Sequence, residues 1–201
     1  MHKTIFTLAL LLTTATTAAA QSPATGQILG HDYVDLGLSV MWATCNIGAE
    51  TPSDYGDYFA WGEAETKSSY TKDNSATYGK SSDTFLDAAS AQWGSSWRMP
   101  TRAECQELID NCTWQWTTVG GHKGYKVTSK KNGNSIFLPA AGCPDTDSSS
   151  LLHANDRGWY WSLQTHDSEN AYRLFFTNSI LNTGYNFMFY GYCVRPITNT
   201  K

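Results

Sequence analysis

The sequence predicts one α+β domain made of small antiparallel sheets, with a well-defined helix and long loops. Three observations predict this fold class. Short apolar segments are separated by turn residues, one segment has the apolar spacing of a helix, and an Asn-Gly pair joins two strand-like segments. Residues 21–201 fall within the length of about 100–200 residues that is usual for one domain.

Residues 1–20 have the order of a signal peptide. Lys3 supplies a positive charge, residues 5–12 form an apolar run, and a tract of small residues ends in Ala18-Ala19-Ala20. This pattern predicts cleavage after Ala20 and export to the periplasm, the cell surface or the medium. The apolar run is shorter than the about 20 residues that a membrane-spanning helix needs, so we expect no membrane insertion after cleavage.

The clearest single element is a helix over residues 102–111. Thr101 and Glu104 have the spacing of a capping box, in which each side chain accepts a hydrogen bond from the other residue's backbone amide. One buried face follows from apolar residues at i, i+3, i+4 and i+7, namely Cys105, Leu108, Ile109 and Cys112. An Ala-rich segment at residues 83–92 predicts a shorter helix before it.

The remaining elements are predicted as strands and loops. Strands are expected at residues 32–36, 40–44, 124–129, 135–138, 159–163, 171–177 and 192–196. The third and fourth of these flank Asn132-Gly133, and Asn-Gly favours the positive φ angles of a tight hairpin turn. Residues 50–82 and 142–156 are rich in Gly, Ser, Thr and Asp, which predicts loops.

Composition limits the classes of partner. The chain carries a formal net charge of −4 and no cluster of Lys or Arg, which argues against nucleic acid or an anionic membrane as the main partner. Aromatic residues make up 13% of the chain and include eight Trp, more than a core alone usually requires. We therefore expect some of them to face outward as a binding surface.

Five cysteines in an exported chain favour disulfides over metal or redox chemistry, and none has C-x-x-C spacing. The sequence does not fix the connectivity, and the odd number leaves at least one thiol outside an intramolecular bridge. The pairs we expect are Cys45–Cys112 and Cys143–Cys193.

Sequence motifs for catalysis and metal binding are absent. The histidines are scattered without metal-binding spacing, and there is neither a nucleophile elbow nor a Gly-rich phosphate loop. Asp145 and Asp147 could offer oxygen ligands to Ca²⁺, but a solvated turn is the preferred interpretation of this segment. We therefore predict a protein that is not an enzyme and has no cofactor or metal site.

Seven segments together resemble the Fibrobacter succinogenes major paralogous domain family, which is common in exported proteins of gut Bacteroidetes. They are YVDLGLSVMWATCNIG (33–48), YGDYFAWGE (55–63), WGSSWRMPTRAECQELIDN (93–111), FLPAAG (137–142), YWS (160–162), ENAYRL (169–174) and GYCVRP (191–196). The WRMPTRAE block is also similar to a block of the formylglycine-generating enzyme superfamily. Both groups share a C-type-lectin-like fold, and the resemblance implies that fold for residues 21–201.

The last segment is similar to the C-terminal part of variable proteins diversified by retroelements, which end in a motif like G-[FYH]-S-V-R-P. This resemblance implies a non-enzymatic binding protein whose C-terminal segment contacts a protein or a glycan. The implied ligand-binding residues are Trp159, Leu163, Gln164, His166, Arg173, Leu181, Tyr185, Asn186, Phe187, Met188, Phe189, Tyr190 and Tyr192. Two alternatives remain open. One is an enzyme of the formylglycine-generating type, with Cys143 and Cys193 as its cysteines, and the other is a structural surface or adhesin subunit.

Overall fold

A computed structural model describes residues 21–80, 85–146 and 150–199, so the predicted signal peptide and Asp147 lie outside the described residues. The described part holds two α-helices, α1 (Ala88–Trp93) and α2 (Arg102–Asn111), and a 3-10 turn at Lys72–Asn74. Its strands are β1 (Gly26–Ile28), β2 (His31–Val34), β3 (Met41–Ala43), β4 (Cys112–Val119), β5 (His122–Ser129), β6 (Ser135–Pro139), β7 (Cys143–Pro144), β8 (Leu151–Leu152), β9 (Gly158–Thr165), β10 (Asn170–Phe176), β11 (Leu181–Phe187) and β12 (Ile197–Thr198).

These strands form four small antiparallel sheets across the described ranges. Their orders are β1-β2-β3-β12, β4-β5-β6, β11-β10-β9 and β7-β8. In the first sheet Ile197 pairs with Trp42, so the last strand closes against an early one. The fold therefore consists of small antiparallel sheets with two helices, as the strand and helix patterns predict.

Helix α2 has the predicted bounds and the predicted cap. The Thr101 hydroxyl accepts from the Glu104 amide at 3.1 Å, and the Glu104 carboxylate accepts from the Thr101 amide at 2.7 Å. Arg98 adds a two-pronged ion pair to Glu104, with N···O distances of 2.8 and 2.6 Å. The first turn of α2 is thus fixed by side chains from both sides of its N-terminus.

Helix α1 is shorter than predicted because Asp87 caps it. The Asp87 carboxylate accepts from the Ala89 amide at 2.9 Å and from the Met99 amide at 3.0 Å. An Asp in this role has an extended backbone and precedes the first helical residue. Part of the predicted helix, residues 83–84, lies outside the described residues.

The predicted hairpin is confirmed as β5 and β6, and its turn contains Gly133 at a φ of +77°. A strand that was not predicted, β4, pairs with β5 along its whole length from Cys112 to Val119. Strand β4 begins at Cys112, directly after the last residue of α2, so no loop separates the helix from the strand.

The C-terminal sheet is the frame of the surface described below. Strands β10 and β11 pair in one unbroken register from Asn170–Phe187 to Phe176–Leu181, while β9 and β10 are offset by a bulge between Ala171 and Arg173. The strand predicted at residues 192–196 is replaced by isolated bridges from Tyr192 to Phe59 and from Cys193 to Tyr160. That segment crosses the core, so its backbone pairs with two different elements in turn.

Arg195 ties this crossing segment to two sheets. Its side chain is 1% exposed, and Nε donates to Asn46 Oδ1 at 2.8 Å. The Nη atoms donate to the backbone carbonyls of Ala43, Thr44 and Phe137 at 2.9–3.1 Å. A buried guanidinium is tolerated when its donors are satisfied in this way. Arg195 therefore joins the β3 end of the first sheet to β6 of the second.

The predicted disulfides are not formed, because all five cysteines are free thiols. Cys112 is packed in the core cluster around α2, whereas Cys45 lies beside His31 and Trp93 at the surface. Cys193 belongs to the same cluster as Cys112, while Cys143 packs at the margin of a second cluster built around Trp97 and Trp161. The pairs Cys45–Cys112 and Cys143–Cys193 were therefore predicted wrongly, since each joins residues of different environments.

Candidate ligand-binding surface

The implied ligand residues do not share one face, because alternate residues of a strand point to opposite sides of a sheet. On β10, Tyr172 lies on the face that packs against α2, and Arg173 lies on the other face. The pairing register places Tyr185 opposite Tyr172 and Gly184 opposite Arg173. We call the side of Tyr172 the α2 face and the side of Arg173 the outer face.

The α2 face carries a groove with a volume of about 510 Å³. Its lining, which we call the α2 groove, consists of Arg102, Ala103, Gln106, Gln164, Thr165, Tyr172 and Thr183. Helix α2 forms one wall, and the three strands of the C-terminal sheet form the other. The lining mixes an aromatic ring, two amides, two hydroxyls and one cation, so it can contact both apolar and polar parts of a ligand.

The side chains of the α2 groove are held by one another. The Arg102 guanidinium carbon lies 4.3 Å from the centre of the Tyr172 ring, and the Arg102 amide donates to Gln164 Oε1 at 2.6 Å. Thr183 Oγ1 donates to Gln106 Oε1 at 3.2 Å across the groove. These contacts fix the positions of the polar groups before any ligand arrives.

Two exposed rings stand at the rim of the groove. The His166 and Tyr185 rings are stacked, with centroids 3.8 Å apart and planes 7° apart. His166 Nδ1 lies 3.1 Å from the Tyr172 hydroxyl, which joins the rim to the groove lining. The Tyr185 side chain is 51% exposed, so an aromatic face is available to solvent directly beside the groove.

A second aromatic group lies at the end of β11. Phe187 is 38% exposed and stacks on Phe189 at 5.4 Å, and both rings meet Tyr78 edge-on at 6.0 and 5.2 Å. Tyr190 continues the contact, with its ring 4.7 Å from that of Phe189. We call these four residues the Phe187 cluster.

Three of the implied contact residues are buried and so cannot meet a ligand directly. Met188 and Tyr192 are each 2% exposed, and Trp159 is buried beside them. Tyr192 stacks on Trp159 and accepts a hydrogen bond from Asn186 Nδ2 at 2.6 Å. Burial raises the pKa of Tyr192 well above its usual range. These three residues pack in the core beneath the C-terminal sheet. Their assignment as contact residues is therefore corrected.

The other implied residues divide between support and surface. Leu163 and Leu181 are half-buried and pack against the two core clusters, whereas Gln164 and His166 are exposed. Arg173 and Asn186 lie on the outer face, away from the α2 groove. Of the implied residues, only Gln164 lines the groove, and His166 and Tyr185 form its rim.

Six groove residues were missed from the sequence: Arg102, Ala103, Gln106, Thr165, Tyr172 and Thr183. The helix pattern was interpreted for its buried face alone, while Arg102 and Gln106 lie on the polar side of that helix. Tyr172 and Thr183 alternate with outer-face residues in the register of β10 and β11. For Tyr172 a signal existed in the period-two pattern of residues 170–176, which places it on one face with the core residues Leu174 and Phe176.

The two cysteines considered for oxidative chemistry are poorly suited to it. Burial raises the pKa of Cys143 to about 11 and raises that of Cys193 further. A thiol with a raised pKa holds little of the nucleophilic thiolate at neutral pH. In residues 21–80, 85–146 and 150–199 no group of three or more His, Cys, Asp or Glu is placed to hold a metal ion.

Comparison of the chain with protein-family models, with curated proteins and with solved structures finds no match. Among the described helices, none has the length and apolar character needed to cross a bilayer. The function proposed below therefore depends on the geometry of the C-terminal sheet and α2.

Proposed function

We propose that this chain is an exported, non-enzymatic binding protein that holds a glycan in the α2 groove. The observation that carries the proposal is the exposed His166–Tyr185 stack at the rim of that groove. Exposed aromatic rings beside a concave surface of mixed polarity are typical of recognition sites.

The chemistry of the groove favours a glycan. The apolar face of a sugar ring packs well on an aromatic ring, and Tyr185 and Tyr172 offer such rings. Sugar hydroxyls both donate and accept, and the amides of Gln106 and Gln164 can do the same. The binding groups lie on strands and a capped helix, so a ligand would order few of them on binding.

A protein ligand is the second candidate, and the Phe187 cluster favours it. Exposed Phe and Tyr rings are common anchors in protein interfaces, because they bury large areas at a small cost in conformational entropy. Phe187 and Phe189 offer no hydrogen-bonding groups, which suits an apolar partner surface better than a sugar.

The C-type-lectin-like fold, and membership of the Fibrobacter succinogenes major paralogous domain family, are part of this proposal. Small antiparallel sheets, two helices and long loops support it, as does the order of the seven resembling segments along the chain. In this account the early segments form a stiff frame, and Arg195 fastens the C-terminal segment to it. Diversification by a retroelement of the exposed residues of this segment, such as Tyr185 and Phe187, would then change the surface without changing the frame.

Glycan and protein arrays probed with residues 21–201 test the proposal. We expect saturable binding to a glycan, and we expect Tyr185→Ala to weaken it at least tenfold while the cooperative unfolding transition is kept. Leu86→Ala is the matched control, because Leu86 is an exposed apolar side chain outside the groove. Unchanged binding by Tyr185→Ala would refute the groove as the site. Loss of binding in Phe187→Ala alone would favour the protein-ligand candidate.

A further inference from the structure

Arg173 on the outer face has an incomplete set of partners. Its guanidinium carbon lies 4.6 Å from the centre of the Phe175 ring, and Nη1 donates to Asn182 Oδ1 at 3.1 Å. Nε is buried and has no hydrogen-bond partner. Phe175 and Asn182 therefore hold the guanidinium in place, while its Nε–H lacks an acceptor. A buried donor without an acceptor costs free energy in the unbound protein.

No carboxylate compensates this cation within the part of the chain that the structure describes. The ion pairs found there involve Arg98, Arg157, Lys67 and two histidines, and none involves Arg173. Partial burial lowers the pKa of Arg173, although the guanidinium stays charged at any physiological pH. A partly desolvated cation without an anion is a place where an incoming carboxylate gains more than at an open surface.

The guanidinium of Arg173 lies over Gly184, its neighbour on β11, and its neighbour on β9 is the buried Trp161, so the side chain is half-buried. A Cβ atom at position 184 would lie 3.3 Å from both Nη atoms, so any larger residue would crowd the guanidinium. Asn182 and Asn186 flank Gly184 on the same face, one on each side. The result is a half-buried planar cation that contacts Asn182 and Phe175, with Trp161 beside it on β9 and the Asn186 amide nearby on the same face.

We propose that Arg173, Asn182 and Asn186 bind the carboxylate of an acidic saccharide, such as a uronic acid unit. The guanidinium can donate two parallel hydrogen bonds to a carboxylate, which a single ammonium group does less well. The two amides can both donate to and accept from the hydroxyls beside that carboxylate.

Charge distribution favours a saccharide over an acidic peptide. Arg173 is a single cation in a neutral setting, and the chain as a whole has a net charge of −4. A segment with several adjacent carboxylates would be repelled by that overall charge. A uronic acid carries one carboxylate among neutral hydroxyls, so its single negative charge pairs with the single cation of Arg173.

The site is independent of the α2 groove, because alternation along β10 places Arg173 and Tyr172 on opposite faces. If Arg173 binds no carboxylate, the proposal that the α2 groove binds a glycan is unaffected. If the α2 groove binds no glycan, the titration described next still tests the Arg173 site.

Titration of ¹⁵N-labelled residues 21–201 with D-glucuronate tests the inference by NMR. We expect chemical-shift changes at the Arg173 Nε–H and at the Asn182 side-chain amide. These changes should saturate with a dissociation constant in the millimolar range. D-glucose, which lacks the carboxylate, should produce no saturable shift at Arg173. A tri-glutamate peptide should bind more weakly than D-glucuronate, and tighter binding of the peptide would overturn the saccharide assignment.

Variants separate recognition from folding. Arg173→Gln should abolish the Asn182 shift, and Arg173→Lys, which keeps the charge but loses the two-pronged geometry, should weaken binding several-fold. Arg157→Gln is the matched control, since Arg157 also lies near an aromatic ring, 6.0 Å from Trp159, but already pairs with Asp156. Asn182→Ala gives a second test if Arg173→Gln does not fold, and it should also weaken binding. An Asn182 shift that persists in Arg173→Gln, or full affinity in both Arg173→Lys and Asn182→Ala, would overturn the proposal.

Discussion

The ring of Tyr185 lies flat against the ring of His166, with centroids 3.8 Å apart. The two residues come from different parts of the C-terminal sheet, since His166 follows β9 and Tyr185 lies within β11. Tyr172 lies on β10, the strand between β9 and β11, and meets both rings edge-on, at 5.4 and 6.3 Å. The register of β10 and β11 therefore positions Tyr172 and Tyr185, and His166 is placed by the turn after β9, where its amide donates to the Asn170 carbonyl at 2.8 Å.

Replacement of Tyr185 by alanine should affect stability little. The ring is half exposed, and its stacking contributes about 0.5–1.5 kcal/mol. Trp161→Ala, at a fully buried position of the same sheet, should instead reduce the free energy of unfolding by about 3–5 kcal/mol. Urea denaturation of both variants measures the difference. Equal losses would mean that Tyr185 is a structural residue.

Arg195→Met should be strongly destabilising. Removal of the guanidinium leaves Asn46 Oδ1 and three buried carbonyl oxygens without their donor, each at about 1–3 kcal/mol before relaxation. We expect a loss of about 3–5 kcal/mol in urea denaturation, comparable to breaking a buried ion pair. Arg157→Met, at a position whose side chain is 40% exposed, should change stability by only about 0.5 kcal/mol. A small effect at Arg195 would contradict its role as the tie between two sheets.

Glu104 should make the fold sensitive to acid. Burial alone would raise the pKa of Glu104, but hydrogen bonds from Arg98 and Thr101 outweigh burial and hold this pKa below its ordinary value of 4.5. A carboxyl group with a lowered folded-state pKa stabilises the protein above the unfolded value, and that stabilisation disappears as the pH falls through the folded value.

The thermal midpoint of wild type should therefore fall more steeply with acidification below about pH 5 than that of Glu104→Gln. Near neutral pH the variant should be the less stable of the two, since the ion pair to Arg98 is lost. Glu65→Gln, at an exposed position, should follow the wild-type curve. Parallel curves for wild type and Glu104→Gln would show that Glu104 does not carry the acid sensitivity.

Gly56 and Gly79 form a matched pair of turn glycines. Both have positive φ, +73° and +65°, so alanine at either costs about 1–2 kcal/mol from backbone conformation. A Cβ at position 56 would also lie 2.2 Å from the Ile47 carbonyl oxygen, whereas position 79 has open space. Gly56→Ala should thus be more destabilising than Gly79→Ala by about 1–3 kcal/mol in thermal denaturation. The reverse order would contradict the described packing of the loop.

Local patterns were predicted well where the causes are local. The capping box of Thr101 and Glu104 and the apolar spacing behind it gave the bounds of α2, because a helix end is decided by residues within one turn. The Asn132-Gly133 turn gave the β5–β6 hairpin for the same reason.

Features that depend on distant partners were not predicted. The segment from Tyr192 to Pro196 has the composition of a strand, yet its partners are Phe59, Tyr160 and β3, which no local pattern reveals. The residues implied for binding were treated as one surface, whereas those on β10 and β11 lie on two faces of the C-terminal sheet. That division depends on the register of β10 with β11, which pairs Tyr172 with Tyr185 and Arg173 with Gly184.

Mapping of a bound glycan by NMR tests the central claim most directly. With the strongest glycan from the arrays added to labelled residues 21–201, the account predicts that the largest shifts fall on His166, Tyr172 and Tyr185 and on the helix residues Arg102 and Gln106. Shifts confined to residues outside the α2 groove, or no saturable shift with any arrayed glycan, would contradict it.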